Sequence, residues 1–174
     1  MTNGSTQREH ILLPVKVGFI ALSIVVALLF NLLPWRDFRG VPDMLAVVIA
    51  FWCIHQPRKV GLGIAWGLGL VMDAANGTLI GQHALAYAVL AFGAQWLHRR
   101  ILWFPIWQQA LHVLVLMLVS QALMLVARMA AGGTFPGWWF FSGTFVAAAL
   151  WPIVTHVLLA PQRRPEIVDA NRPI

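Results

Sequence analysis

The sequence has very little charge for its length. Only 10% of its 174 residues are Asp, Glu, Lys or Arg, whereas 60% are hydrophobic. Soluble domains carry about 25% charged residues, and the apolar residues here form long runs, such as 17–33 and 138–159. A water-soluble core of this size could not bury such runs, but a lipid bilayer solvates them. The composition therefore predicts an integral membrane protein.

The chain also has few residues that could carry chemistry, with one cysteine and six acids. Cys53 alone cannot form an intramolecular disulfide or a thiolate metal cluster, and its apolar surroundings indicate a small packing residue. The acids stand mostly in tails and loops, there is no HExxH motif, and Ser120 lacks a matching base and acid. The sequence therefore predicts neither an enzyme nor a cofactor or metal site.

The basic residues outnumber the acids, 12 against 6, and the sequence pI is near 11.1. They stand singly or in pairs between the apolar runs, with no basic face interleaved with aromatic residues as nucleic-acid binding requires. We therefore exclude nucleic acid as a partner and interpret the basic residues as signals of membrane topology.

Six apolar segments indicate membrane spans, each of which needs roughly 20 residues to cross the bilayer. The second and third are short. Folding them as a re-entrant hairpin would place Arg58 and Lys59 in hydrocarbon at roughly 3 kcal/mol each, so two crossings joined by a basic loop cost less. The first segment lacks a small-x-small cleavage pattern and is read as a retained helix. The expected spans are 15–33, 44–54, 60–72, 79–97, 107–126 and 138–159.

The distribution of basic residues predicts the orientation of this all-α protein. With the amino terminus inside, nine basic residues lie on the inner side and three on the outer side, which places both termini in the cytoplasm of a bacterial cell. The chain then consists of a cytoplasmic segment 1–14, a six-helix transmembrane domain 15–159 and a cytoplasmic tail 160–174, whose composition predicts disorder. Tryptophans near the span ends suit the headgroup boundary: Trp35, Trp103, Trp107, Trp138 and Trp139.

Glycines recur along the third span, at Gly61, Gly63, Gly67 and Gly69, and the middle two form a GxxxG pair. A helix face without side chains lets two backbones approach closely in lipid. We expect this face to pack against a neighbouring span of the same chain, with a homodimer seam as the alternative. A nucleotide-binding GxGxxG loop is excluded, because one residue too many separates Gly63 from Gly67.

A few polar residues adjoin the spans. Asp73 begins the segment 73–78, which has the composition of a turn, and it is expected either to cap that turn or to contact another helix or a partner, with Arg128 a candidate cation. His112 and His156 are predicted near the cytoplasmic boundary, where they could meet. Without nearby Cys, Asp or Glu they make a poor metal site, so we interpret them as hydrogen-bonded contacts between helices. The same role is expected for Asn31, Gln95 and Gln121.

With these residues assembled, the chain resembles the MreD family of rod shape-determining proteins. The resemblance covers nearly all spans, and the order and spacing of its pieces carry it. The matching pieces are LLFNLLPW at 28–35, Pro42-Asp43, Trp52, Pro57 to Gly61, Gly67-Leu68 with Asp73, Gly77 with Leu79 and Gly81, Trp107 to Leu111, and Leu150-Trp151-Pro152.

The resemblance implies a subunit of the cell-elongation machinery. Its partners would be MreC, the actin-like MreB, and the glycan polymerase and transpeptidase that build side-wall peptidoglycan; no catalytic residues are implied. The residues expected to pack helices or to contact partners are Gly61, Gly63, Gly67, Gly69, Asp73, Gly77, Gly81, His112, Arg128 and His156.

An alternative function follows from a second likeness, because the family is similar in fold to the substrate-binding subunits of vitamin transporters. A deep pocket lined by Trp66 and Trp96 would favour such a ligand-binding subunit, and a filled helix core would favour a scaffold. We expect the scaffold, with no small ligand.

Overall fold

The computed structural model describes residues 15–35 and 40–162, and within these ranges the chain is helical with no strand. Short 3₁₀ turns at Trp138–Phe141 and Ala160–Gln162 flank the last helix. The predicted segment 1–14 and most of the predicted tail lie outside the described residues. The helices are α1 (Val17–Leu32), α2 (Met44–His55), α3 (Leu62–Asn76), α4 (Gln82–Trp103), α5 (Ile106–Ala130) and α6 (Ser142–Leu159).

The centre of the bundle is α2, the shortest of these helices. Every residue from Leu45 to Ile54 is buried, because α1, α4 and α6 pack around it. A helix that is apolar on all sides needs such surroundings. Its 12 residues rise only about 18 Å, against a hydrocarbon thickness of roughly 30 Å. Protein rather than lipid therefore surrounds the short helix.

The remaining helices pack mostly in chain order. α4 contacts both α3 and α5, and α5 contacts α6. Within the described residues, α3 makes extensive contacts only with α4, so it lies at the edge of the bundle with one face uncovered.

Two helical segments are long and apolar enough to cross a membrane, Ile106–Ala130 and Trp138–Gln162. Three shorter helices are also apolar, namely α1, α2 and α3. The predicted all-helical architecture is confirmed within the described residues, whereas six crossings and a cytoplasmic location of both termini stay predictions.

Some helix boundaries differ from those expected. The segment from Asp73 was expected to be a turn, but α3 continues to Asn76, and the chain turns only at Gly77, which has a φ of +60°. The fourth span was expected to end at residues 98–100, yet α4 continues to Trp103, since arginine is a good helix former. α6 passes through Pro152 without ending.

Three polar side chains join separate elements, as predicted. Asn31 donates to Asp43 at 2.6 Å, Gln95 donates to the Pro57 and Val60 carbonyls, and Gln121 donates to the Phe140 carbonyl. Cys53 is buried, also as predicted, and its thiol donates to the Val60 carbonyl.

Candidate functional site

Asp73 lies in the last turn of α3, completely buried, and it caps the neighbouring helix α4. Its Oδ2 accepts from the backbone N–H groups of Gly81 at 2.9 Å and Ala84 at 3.3 Å, and its Oδ1 accepts from the N–H of His83 at 2.9 Å. The first N–H groups of a helix lack partners within the helix and carry partial positive charge. A carboxylate from α3 therefore stabilises the start of α4.

Two side chains complete the environment of Asp73. The Nδ1 of His83 lies 2.7 Å from Oδ1, and the Thr78 hydroxyl donates to the same oxygen at 3.1 Å. The Asp73 carboxylate thus bonds both to Thr78 in the turn that follows it and to the start of the neighbouring helix α4. The prediction of Arg128 as its partner is wrong, because the side chain that lies against the carboxylate is the imidazole of His83. Arg128 lies exposed in the last turn of α5.

Asp43 performs a similar role at the start of α2. Its Oδ1 accepts from the Ala46 N–H at 2.9 Å and from the Asn31 side chain, while its Oδ2 accepts from the Tyr87 hydroxyl at 2.7 Å. The Asn31 oxygen in turn accepts from the N–H of Met44 at 3.1 Å. Asp43 thereby joins α1, α2 and α4.

The two carboxylates belong to one polar network at one end of the bundle. His83 and Tyr87 stand one turn apart on α4 with their ring centroids 6.0 Å apart, and each bonds to one of the aspartates. We call the set Asn31, Asp43, Asp73, His83 and Tyr87 the carboxylate cluster; it connects all of α1 to α4. Across residues 15–35 and 40–162, no three His, Cys, Asp or Glu side chains are grouped so that they could hold a metal ion.

Sequence reasoning missed three members of this cluster. Asp43 had a local signal, because an aspartate directly before an apolar helical run is a common N-cap. His83 and Tyr87 had none, since their carboxylate partners are 10 and 44 residues away in the chain.

The glycines of α3 divide into two groups. A Cβ on Gly69 would collide with the backbone of Ala84 and His83, so this glycine permits close contact of α3 and α4. A Cβ on Gly63 or Gly67 would meet no atom within 4 Å. Packing of the GxxxG pair within the chain is therefore a wrong prediction, because the pair lies on the face of α3 that α4 does not cover.

The other predicted glycines shape turns or fit beside a side chain. Gly77 and Gly81 have φ of +60° and +102° in the connection between α3 and α4, a backbone conformation that side chains disfavour. A Cβ on Gly61 would lie 3.3 Å from Nε2 of Gln95. These contacts lie within the chain and leave the predicted partner contacts of the three glycines untested.

The two predicted histidines do not join helices. The Nδ1 of His112 bonds to the Gln108 carbonyl, and that of His156 bonds to the Pro152 carbonyl, each at 2.7 Å and one turn back in its own helix. The ring of His112 also stacks on Phe104. Each imidazole thus bonds through Nδ1 within its own helix, and these bonds do not supply the predicted contact between helices.

The outer surface offers an open groove of about 550 Å³ between α1 and α6, with α2 at its floor. Its lining is almost wholly apolar and includes Phe19, Val48 and Ile153. A pocket lined by Trp66 and Trp96 would have favoured a transporter subunit. This groove is not that pocket, because both tryptophans lie outside its lining, where they are 50% and 77% exposed.

Comparison with known proteins gives a consistent result. The family model for "rod shape-determining protein MreD" matches residues 14–160, which contain all six helices. A curated protein of Haemophilus influenzae named "Rod shape-determining protein MreD" is 28% identical over 146 residues, covering 80% of this chain and 88% of the relative. No solved structure matches the chain significantly.

Proposed function

Since this chain belongs to the MreD family of rod shape-determining membrane proteins, we propose that it is a non-catalytic scaffold subunit of the bacterial cell-elongation machinery. In this role it binds an MreC-like protein in the cytoplasmic membrane and connects it with MreB and with the glycan polymerase and transpeptidase of wall synthesis. It holds these proteins in a complex and transforms no substrate.

The observation that carries this proposal is the use of the two carboxylates of the cluster, Asp73, which is buried, and Asp43, which is partly buried. All the acceptor atoms of Asp43 and Asp73 bond to helix N–H groups or to side chains of neighbouring helices. Carboxylates used in this way fix helix positions and are not free to move protons or to attack a substrate. A rigid bundle is what a scaffold needs.

The uncovered face of α3 supports partner binding. Gly63 and Gly67 stand one turn apart on that face with no atom near their would-be side chains. In lipid, small residues on an open helix face permit a second helix to approach closely. We therefore place a helix of a partner, or of a second copy, against Gly63 and Gly67.

We further propose six crossings of the inner membrane, with 15–159 as the transmembrane domain and the segments 1–14 and 160–174 in the cytoplasm. The bias of basic residues supports this orientation. So do two contacts at one end of the bundle: Lys59 donates to the Val15 carbonyl at 2.6 Å, and Gln95 donates to Pro57. The start of α1, the α2–α3 connection and the later part of α4 thus lie together, as alternating crossings require.

Depletion of the protein in a rod-shaped bacterium tests the function. We expect the cells to round up and a plasmid copy of the gene to restore rods. Co-purification of the MreC-like protein with the tagged chain tests the scaffold role separately. Rods that persist after depletion would refute a part in elongation, and loss of vitamin uptake with normal shape would instead favour the transporter alternative.

A further inference from the structure

A small cavity lies beside the carboxylate cluster, between the start of α2, the second half of α5 and the start of α6. Its volume is about 30 Å³, which is room for roughly two water-sized groups and for nothing as large as an organic ligand. Four of the residues that line it are polar, namely Asp43, Ser120, Gln121 and Thr144. Polar side chains inside a membrane bundle are costly, so their convergence on one cavity indicates a bound species.

The cavity fills a gap in the packing of the helices. α2 packs against α1, α4 and α6, but within the described residues it makes no extensive contact with α5. The polar lining comes from both sides of this gap, because Asp43 stands at the start of α2 and Thr144 at the start of α6, whereas Ser120 belongs to α5. A species bonded to these groups would therefore join α2 and α6 to α5.

The hydroxyl groups in this lining have no hydrogen left to donate. Ser120 and Thr144 are only 4% and 3% exposed. The Ser120 hydroxyl donates to the Ala86 carbonyl at 2.9 Å, and the Thr144 hydroxyl donates to Oε1 of Gln121. A hydroxyl has a single hydrogen, so both oxygens can only accept further bonds, and a carboxylate likewise only accepts. The species in the cavity must therefore supply positive charge or hydrogen atoms, which leaves a cation or water.

The Asp43 carboxylate favours a cation over water. Its Oδ2 accepts from the Tyr87 hydroxyl at 2.7 Å and, like any carboxylate oxygen, has a second lone pair. The donors from Asn31, Ala46 and Tyr87 are all neutral, so they leave the negative charge in place. At low dielectric constant that charge attracts a cation more strongly than in water. One carboxylate among neutral oxygens suits a monovalent ion, since divalent ions are bound by more carboxylates or keep several waters.

From these observations we propose that the cavity binds one monovalent cation of the size of sodium, with oxygen ligands from Asp43, Ser120, Gln121 and Thr144. Bound there, the ion joins α2 and α6 to α5 and stabilises the bundle. The sequence-based expectation of no metal site came from the lack of thiolate, histidine and acidic clusters, none of which this ion needs. The site is independent of the proposed scaffold function, because it requires only the packing of these helices.

Thermal unfolding of the purified full chain in detergent tests this assignment. Choline chloride is exchanged stepwise for sodium chloride at constant ionic strength, and the unfolding midpoint is measured at each step. We expect the midpoint to rise with sodium and to saturate, with a rise of about 3–6 °C at a sodium concentration roughly tenfold above the dissociation constant. Equilibrium dialysis with radioactive sodium should give one bound ion per chain.

Two hydroxyl variants and a matched control locate the ion. Ser120→Ala and Thr144→Val each remove one oxygen ligand, and each should weaken the apparent sodium affinity by roughly tenfold. Each variant is compared with its own midpoint in choline chloride, so that a loss of packing alone does not count. The control, Thr155→Val, removes a hydroxyl that is also buried on α6 but lies outside the cavity lining, and it should keep the full response to sodium.

Three results would overturn the proposal. A midpoint that stays constant throughout the exchange would show that the cavity holds water only. A response that persists in the double variant Ser120→Ala with Thr144→Val would place the ion elsewhere. An equal rise in potassium chloride would overturn the assignment to an ion of the size of sodium. None of these results bears on cell shape or on co-purification of a partner, so failure of this site leaves the proposed function untouched.

Discussion

The side chain of Asp73 accepts five hydrogen bonds, which is more than an amide can replace. Its two oxygens bond to Thr78, Gly81, Ala84 and both the backbone and the ring of His83. In Asp73→Asn, one oxygen becomes an NH₂ group that faces N–H donors. We therefore expect Asp73→Asn to destabilise the purified chain by about 3 kcal/mol, nearly as much as Asp73→Ala.

Thermal unfolding of the purified chain in detergent measures this difference without any partner in the sample. The control is Asn76→Ala, at an exposed position on the same helix. This substitution should leave the free energy of unfolding within about 1 kcal/mol of the parent value. A midpoint for Asp73→Asn equal to that of the parent would show that the residue is a simple cap, for which asparagine is an adequate substitute.

Gly69 and Gly67 allow a matched comparison of two glycines in one helix. A methyl group at position 69 would overlap the backbone of Ala84, whereas at position 67 it would meet no atom within 4 Å. We expect Gly69→Ala to cost about 1–3 kcal/mol and Gly67→Ala to be neutral or stabilising by up to about 1 kcal/mol. Unfolding midpoints decide this prediction, and equal midpoints would contradict the close contact of α3 with α4.

At the scale of elements, α3 has two different faces. Residues two apart on a helix are separated by about 200°, so Gly69 faces α4 while Gly67 and Gly63 face outward. Because a Cβ at either position would meet no atom within 4 Å, leucine at both outward positions should leave the folded yield unchanged. If a partner helix packs there, the same Gly63→Leu and Gly67→Leu variant should lower co-purification of the MreC-like protein by tenfold or more.

The comparison needs equal expression of parent and variant. Leu62→Ala is a suitable control, because Leu62 is also exposed on α3 and its substitution removes bulk rather than adding it. Unchanged co-purification with leucine at both positions would show that this face of α3 contacts lipid.

The sequence predicted the helical elements well and their mutual contacts poorly. Apolar runs locate α1 to α6 because each helix needs a continuous apolar stretch, whether lipid or protein surrounds it. They do not indicate which face meets a neighbour, so the GxxxG pair predicted the wrong glycines and Gly69 was not distinguished from them. Asp73 looked like part of a local turn because the helix that it caps begins later in the chain, at Gln82.

At the scale of the whole molecule, the short helix α2 decides how the bundle can sit in a membrane. Because α1, α4 and α6 surround it, its length need not match the bilayer, and its polar ends can bond to the neighbouring helices. Asp43 does so at the start of α2. The proposed six crossings therefore require that α2 be accommodated by its neighbouring helices and not by a length that matches the bilayer.

The orientation of the bundle can be measured with single cysteines on a Cys53→Ser background. Arg58 is exposed in the connection between α2 and α3, and Ile80, 79% exposed, lies in the connection between α3 and α4 at the other end. The basic pairs predict that position 58 is cytoplasmic.

A membrane-impermeant maleimide should therefore label Ile80→Cys on intact spheroplasts and label Arg58→Cys only after permeabilisation. Trp103→Cys should behave like Arg58→Cys, because α4 returns to the same end, and the parent without introduced cysteine should stay unlabelled. Labelling of position 58 from outside would reverse or abolish the proposed topology, since α3 would then begin on the periplasmic side.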